Sequence, residues 1–270
     1  MKRVLTAVVA LPILLYATWS SQPWLFTAIA AVAIVAALYE YFHIAEKAGA
    51  PAFAWIGYGA AIALVAAAAF RRLDLDVAIL AATTIAIAAA TLSRVVDKAR
   101  ILVSAGATVY GVLYVAFLGS YLVAVRAIER PGMAPRLLTL FFAIVMLSDT
   151  GAYYSGRALG RHKLAPRVSP AKTVEGSVGG FVASMLGAVA AKYLFFNELP
   201  LIDALALGAG LCVIGQVGDL CESLLKRGSD VKDAASILPG HGGFLDRLDS
   251  MLLGAPVLYY YYTYLLAPRL

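Results

Sequence analysis

Long apolar runs are the feature that most constrains how this chain can fold. Runs of about 20 residues, enough to cross the hydrocarbon core of a bilayer as a helix, recur along its 270 residues. The chain is 62% hydrophobic and only 14% charged. Backbone polar groups in lipid are satisfied only inside helices or closed barrels, and a barrel would show shorter, alternating segments. The sequence therefore predicts an all-α polytopic membrane protein.

We expect about nine transmembrane helices in this chain. They cover approximately residues 4–20, 23–45, 52–70, 75–93, 101–124, 136–156, 176–196, 201–224 and 251–267. The alternative for the fourth span is a short hairpin with the third. The first run lacks a clean small-x-small cleavage site at residues 17–21, so we interpret it as a membrane helix. Residues 1–130 and 131–270 are predicted to be N-terminal and catalytic halves of one integral membrane unit.

The distribution of Lys and Arg predicts the orientation. An N-terminus in the cytoplasm places most of these residues on the inner side, as the positive-inside rule requires. Both long polar connections, 157–175 and 225–250, then face the cytoplasm. Anionic lipid head groups and an anionic substrate explain the net charge of +6 without any nucleic acid. Helix faces rich in small residues permit a homodimer and permit packing within one chain equally well.

The segment Lys226–Asp249 concentrates charges of both signs in this apolar chain. Charge beside lipid is costly, so such a cluster predicts a functional site. Carboxylates suit a hard divalent cation, whereas Lys and Arg suit phosphate oxygens. This composition favours chemistry on a phosphate compound with a metal ion.

Acidic residues on two predicted helices could bind that cation. Asp219, Glu222 and Ser223 share one helical face because they are three and four residues apart. Asp246 and Asp249 are also three apart, on a helix that we expect to begin just after residue 243. Two helices with paired oxygen ligands predict a Mg²⁺ site. The alternative is ordinary buried ion pairs with Lys226, Arg227 and Arg247.

A glycine-rich turn, Pro239–Gly243, precedes that second helix. Glycine permits close backbone approach, and a helix N-terminus offers free N–H groups, so the turn predicts a phosphate site. Its candidate residues are Gly240, His241, Gly242 and Gly243. His241 could be a proton donor, a phosphate ligand or a turn residue, and the alternative for the whole segment is a plain turn.

Two further segments carry candidate residues. In Ser169–Gly176, Lys172 and Thr173 could reach phosphate oxygens, while Glu175 orients the lysine or completes the metal shell. The alternative is a helix that starts at Pro170 with Ser169 as its cap. Asp149 closes an apolar helix among small residues, where a carboxylate is expected to be functional. The basic run after it, from 157 to 167, also fits a simple positive-inside signal.

These motifs together resemble those of a known family. Residues 223–227, Lys232-Asp233 and Leu238–Asp249 are similar to the C-terminal signature of the phosphatidate cytidylyltransferases, or CDP-diacylglycerol synthases. Ser148–Tyr153 and the Ser-Pro-x-Lys-Thr-x-Glu-Gly element at Ser169–Gly176 extend the resemblance. It covers about the C-terminal half of the chain.

The resemblance implies that CTP and phosphatidate react to give CDP-diacylglycerol and pyrophosphate, with Mg²⁺ and a monovalent cation such as K⁺. It also implies a location in the cytoplasmic membrane of a bacterium. It implies Asp219 and Asp246 as metal ligands. Our expected metal-site residues are Asp149, Asp219, Glu222, Asp246 and Asp249. Our expected catalytic residues are Lys172, Lys226, Arg227, Asp246 and Arg247. Our expected substrate-binding residues are Ser169, Lys172, Thr173, Ser223, Lys226, Arg227, Lys232, Gly240, His241, Gly242 and Gly243.

Three other functions fit parts of the sequence. A polyprenol kinase or an archaeal-type lipid cytidylyltransferase would also combine CTP with a membrane substrate. A cation transporter would use acidic residues near the membrane midplane, but it gives no reason for the glycine-rich turn.

Overall fold

The computed structural model describes the backbone of residues 2–93, 98–229 and 243–270, with side chains from residue 11 onward, except 93–98 and 230–242. The first half is a series of helices, as its apolar runs predict. They are α1 (Lys2–Trp19), α2 (Pro23–Lys47), α3 (Ala54–Ala69), α4 (Asp76–Ser93), α5 (Ile101–Gly111) and α6 (Leu118–Arg126). A π-helical segment, Val112–Phe117, joins α5 to α6 without a break.

Among its described residues, the second half adds four helices and one small hairpin. They are α7 (Met133–Leu159), strands β1 (Lys163–Ala165) and β2 (Ser169–Thr173), α8 (Val174–Leu194), α9 (Leu201–Gly228) and α10 (Leu245–Tyr261). A π-helical segment, Tyr262–Leu266, and a 3₁₀ turn, Ala267–Arg269, follow α10. The predicted helix start just after Gly243 is confirmed.

The membrane prediction is confirmed at the level of fold class. Each predicted span coincides with a helix in the described residues. In the part of the chain that the structure describes, six segments are long and apolar enough to cross a bilayer: Pro23–Lys47, Leu73–Leu92, Ile101–Arg126, Met133–Leu159, Val174–Leu194 and Leu201–Gly228. The chain is therefore a multi-pass membrane protein. The total of nine spans and the cytoplasmic N-terminus stay predictions.

The β hairpin before α8 differs from the sequence interpretation. Strand β2 pairs antiparallel with β1, with Lys163 opposite Thr173 and Ala165 opposite Ser169. The helix start that we considered at Pro170 is therefore wrong, because this pairing keeps residues 169–173 extended. Helix α8 begins at Val174, and the Thr173 hydroxyl caps it by accepting the Gly176 N–H at 3.1 Å.

Two compact units make up the chain. One contains Met1–Ala127 with Leu225–Leu248, and the other contains Ile128–Leu224 with Asp249–Leu270. In the second unit, α7 and α8 approach closely through small residues. A Cβ added at Gly180 would lie 2.7 Å from the Ser148 carbonyl oxygen, and one at Gly151 would lie 2.8 Å from the Gly179 carbonyl oxygen. Glycine is needed at this contact because any side chain would push the two helices apart.

Candidate active site

Three carboxylates gather where α9 crosses α10. Asp219 and Glu222 extend from one face of α9, as their spacing predicts, and Asp249 lies in the second turn of α10. One oxygen from each of the three lies within 4.8 Å of the other two. We call these three residues the carboxylate cluster. Glu222 is buried, at 1% exposure.

A glycine makes this crossing possible. Gly218 lies directly against the backbone of Asp249, where an added Cβ would collide with the carbonyl oxygen and come within 3.3 Å of the Ser250 Cα. Gly215, one turn earlier on α9, is in ordinary van der Waals distance of Ser250. Because no side chain separates the helices at Gly218, the carboxylate of Asp249 comes close to those of α9.

The carboxylate cluster fits a hard divalent cation. Three carboxylates this close together repel one another unless positive charge lies between or beside them. Oxygen ligands of this type are those that Mg²⁺ binds, with water and substrate phosphates completing the shell. Asp219, Glu222 and Asp249 are therefore the residues that would hold such an ion.

Lys172 brings a positive charge to the same place. Its Nζ lies 2.6 Å from Asp219 Oδ2, and the two side chains are 24% and 35% exposed. The β hairpin causes this contact, because β2 carries Lys172 to the side of α9 immediately before α8 begins. The sequence predicted both residues in the site but not their direct pairing.

A cavity of about 570 Å³ opens beside this ion pair. It is lined by residues of α7, β1, β2, α8 and α9, and both Lys172 and Asp219 form part of its wall. Its other polar lining residues are Ser148, Asp149, Tyr153, Arg157, Thr173, Ser177 and Gln216. The cavity thus joins two predicted segments, the end of α7 and the Ser169–Gly176 element.

Asp149 lies in this cavity wall and is exposed. The three acidic residues that gather closely among the described ones are Asp219, Glu222 and Asp249, without Asp149. Its predicted metal contact stays a prediction. Thr173, also predicted in the site, lines the cavity and caps α8 at the same time.

Gln216 and Ser177 are site residues that the sequence analysis missed. The Gln216 Nε2 donates to the Ser177 carbonyl oxygen at 3.1 Å and to the Cys212 Sγ at 3.2 Å, while the Ser177 hydroxyl donates to the Gln216 Oε1. This network fixes both side chains in the cavity wall. Gln216 could have been found from its spacing, because it precedes Asp219 by three residues on the same helical face.

Glu175 has a different role from the predicted one. Its Oε2 accepts the N–H groups of Arg161 and His162 at 3.0 and 3.2 Å, and its Oε1 lies 2.6 Å from the His162 Nδ1. It therefore ties the start of α8 to the chain that enters the hairpin. Lys172 pairs with Asp219 instead, so the predicted contact of Glu175 with Lys172 is wrong. The predicted contact of Glu175 with a metal ion stays a prediction.

The start of α10 forms a second group of contacts, all within the first unit. Asp246 Oδ1 accepts from Lys226 Nζ at 2.7 Å, and Asp246 Oδ2 accepts the Gly243 N–H at 2.8 Å. The next two N–H groups, of Phe244 and Leu245, donate to Glu40 on α2 at 3.0 and 2.8 Å. The N–H groups predicted to bind phosphate at this helix start thus have carboxylate acceptors.

The other predicted site residues fall in three sets. Arg227, near the end of α9, and Arg247, near the start of α10, are exposed, and Ser169 and Ser223 are half-buried. Asp246 belongs to the first unit and Asp219 to the second, so their predicted sharing of one ion stays a prediction. The predictions for Lys232, Asp233, Gly240, His241 and Gly242 lie outside the described residues.

Apolar helices that gather acidic residues and a lysine around a cavity define a polytopic membrane enzyme with a candidate metal site. Comparison with known proteins identifies the family: the model of the cytidylyltransferase family matches residues 1–265, and the chain belongs to it.

Several curated relatives are named phosphatidate cytidylyltransferase. The one from Bacillus subtilis is 43% identical over 150 residues, which are 55% of this chain and 54% of that protein. The one from Haemophilus influenzae is 40% identical over 136 residues, 48% and 46% of the two chains. The one from Staphylococcus haemolyticus is 45% identical over 117 residues, 43% and 45%. The matched region thus spans about half the length of these relatives.

Proposed function

We propose that this protein transfers the cytidylyl group of CTP to phosphatidate, which gives CDP-diacylglycerol and pyrophosphate for phospholipid biosynthesis. The proposal is supported by membership of the cytidylyltransferase family and by the names of the curated relatives. The observation that carries it is the carboxylate cluster, of which Asp219 pairs with Lys172 in the wall of the cavity. Carboxylates for a divalent cation and a lysine for phosphate oxygens are what a reaction between two phosphate compounds requires.

The reaction forms one bond and breaks one. An oxygen of the lipid phosphate attacks the α-phosphorus of CTP, and the bond from that phosphorus to the β-phosphate oxygen breaks. Pyrophosphate leaves with the bonding electron pair. The attacking phosphate is already ionised near neutral pH, so a strong general base is unnecessary. Catalysis of such a step consists mainly of positioning and of neutralising negative charge.

The chain's own residues provide that neutralisation. Lys172 extends from β2 into the cavity wall. There its ammonium group can exchange its ion pair with Asp219 for an ion pair with a substrate phosphate. Mg²⁺ held by Asp219, Glu222 and Asp249 would supply the additional positive charge that two approaching anions need. Lys226, Arg227 and Arg247 are proposed as further cations for the substrates, and K⁺ as a second ion.

The cavity also suits a substrate that stays in the membrane. Its wall contains the apolar side chains of Ala152 on α7 and of Leu164 and Ala171 in the hairpin, together with the polar groups of Lys172 and Thr173. An acyl chain requires the first environment and a nucleotide the second. We propose that this side of the protein faces the cytoplasm, because the positive-inside rule places the basic connections there.

A labelled-nucleotide assay on purified protein tests the proposal. With phosphatidate and Mg²⁺, label in the α-phosphate of CTP should enter the lipid phase, and label in the γ-phosphate should leave in pyrophosphate. Omission of Mg²⁺ should abolish the transfer. Entry of the γ-label into lipid would identify a kinase instead, and solute flux in vesicles without nucleotide would identify a transporter.

A further inference from the structure

Glu40 is an acidic residue in the last third of a largely apolar membrane helix. It lies on α2, Pro23–Lys47, and its side chain is 0% exposed. Burial of a carboxylate is costly unless hydrogen bonds compensate it, and in a membrane helix such a residue predicts a function. The motifs of the sequence give Glu40 no predicted role.

Its partners are the N–H groups at the start of α10. Glu40 Oε1 accepts from Phe244, and Oε2 accepts from Leu245, across more than 200 residues of sequence. These N–H groups have no acceptor within the helix, and the N-terminal end of the helix dipole favours a negative charge. Gly243 lies so close that an added Cβ would collide with the Glu40 carboxylate. Glu40 is therefore a helix cap supplied by a different helix.

The same helix turn carries Asp246, a predicted catalytic residue. The Asp246 carboxylate binds the Gly243 N–H and Lys226, and its side chain is 13% exposed, against 16% for Lys226. The first turn of α10 is thus attached to α2 through Glu40 and to α9 through Lys226. A cap from a neighbouring residue would fix the start of α10 only relative to the adjacent backbone. Glu40, in contrast, fixes the position of this helix start against α2.

We propose that Glu40 is a positioning residue of the active site. It holds the first turn of α10 so that the side chains of Asp246 and Lys226 keep the positions that the reaction requires. The kinetic part of this proposal rests on the proposed function. It gives the N-terminal half a defined task in the reaction. Because Glu40 acts through the backbone of Phe244 and Leu245, it affects the rate without touching the substrate.

The test compares variants of Glu40 with a matched control on the same helix. Glu40→Gln replaces one acceptor oxygen by an NH₂ group that opposes a helix N–H, and Glu40→Asp keeps the charge but shortens the side chain. Gly243→Ala disturbs the same contact from the other side. The control is Glu46→Gln, since Glu46 is an exposed residue of α2. Each protein is purified in detergent, and its folded fraction, kcat and KM for CTP are measured.

We expect Glu40→Gln to lower kcat by about 10- to 100-fold, the usual effect of losing a group that orients an active-site residue. KM for CTP should change by less than about 3-fold, because a positioning effect is strongest in the transition state. Glu40→Asp should recover part of the rate, Gly243→Ala should lower it, and Glu46→Gln should leave it unchanged. If Glu40→Gln does not fold, Gly243→Ala and Glu40→Asp provide the same comparison. An unchanged kcat per folded molecule in these variants would overturn the proposal.

Amide hydrogen exchange separates this proposal from the proposed function. The peptide that covers residues 243–248 should exchange faster in Glu40→Gln than in Glu46→Gln, whatever reaction the protein catalyses. If the wild type transfers no cytidylyl group, the proposed function fails while this exchange result still supports the Glu40 contact. Equal exchange in the two variants would overturn the contact and the proposal with it.

Discussion

The pairing of Lys172 with Asp219 leads to a prediction with an unusual sign: removal of the lysine should tighten metal binding. Lys172 Nζ lies 2.6 Å from Asp219 Oδ2, so the ammonium group and a divalent cation compete for the same carboxylate. In the absence of nucleotide, Lys172→Met removes the competitor and also removes a nearby positive charge. The variant should therefore bind Mn²⁺ more tightly than the wild type, although it transfers cytidylyl groups more slowly.

The magnitude follows from the exposure of the pair. Lys172 is 24% and Asp219 35% exposed, so water screens their attraction. An ion pair of this kind contributes about 1 kcal/mol. Since about 1.4 kcal/mol corresponds to a factor of ten in Kd, we expect the Kd for Mn²⁺ to fall by about fivefold.

Titration of the purified protein with Mn²⁺, followed by electron paramagnetic resonance of the free ion, measures this Kd. Lys192→Met is the matched control, because Lys192 is on α8 of the same unit but donates to the Leu199 carbonyl oxygen at 2.8 Å. The control should leave the Kd unchanged. Equal or weaker Mn²⁺ binding in Lys172→Met would refute the competition between lysine and metal.

Two further predictions concern the carboxylate cluster and the glycine packing. Asp249→Asn should lower the transfer rate by about 100-fold or more, since it removes a charge from the metal site, whereas Glu198→Gln, on an exposed ion pair with Arg136, should not. Similar rates in both variants would contradict the assignment. Gly180→Ala should lower the thermal unfolding midpoint, because its Cβ would lie 2.7 Å from a carbonyl oxygen of α7 and overpacking costs about 1–3 kcal/mol. A Cβ added at Gly210 would have no neighbouring helix or side chain within 4 Å, so Gly210→Ala should leave the midpoint unchanged or raise it. Equal shifts in Gly180→Ala and Gly210→Ala would refute the packing argument.

The helices could be predicted from the sequence because membrane spans depend on local composition. An apolar run of about 20 residues has few alternatives in lipid, so each predicted span coincides with a helix. The hairpin was missed because Ser169 and Pro170 are equally typical of a helix start, and only pairing with β1 makes them extended. Local sequence cannot show that pairing.

The site was partly predictable, because the spacing of residues on one helix is also local information. Asp219 and Glu222 were grouped by their spacing on α9, and Asp246 and Asp249 were predicted as a second pair on the next helix. Of that second pair, the structure gathers Asp249 with the acids of α9. Contacts between distant segments were not predictable. The capping of α10 by Glu40 joins residues more than 200 positions apart, and the bonding of Glu175 to His162 depends on the hairpin.

The central claim is that Asp219, Glu222 and Asp249 bind the divalent cation that cytidylyl transfer requires. Anomalous X-ray scattering from crystals grown with Mn²⁺ and CTP tests it most directly. We expect a peak within about 2.3 Å of an oxygen of each carboxylate, which is lost in Asp249→Asn. A Mn²⁺ peak elsewhere in the protein, with none at these three residues, would contradict the claim.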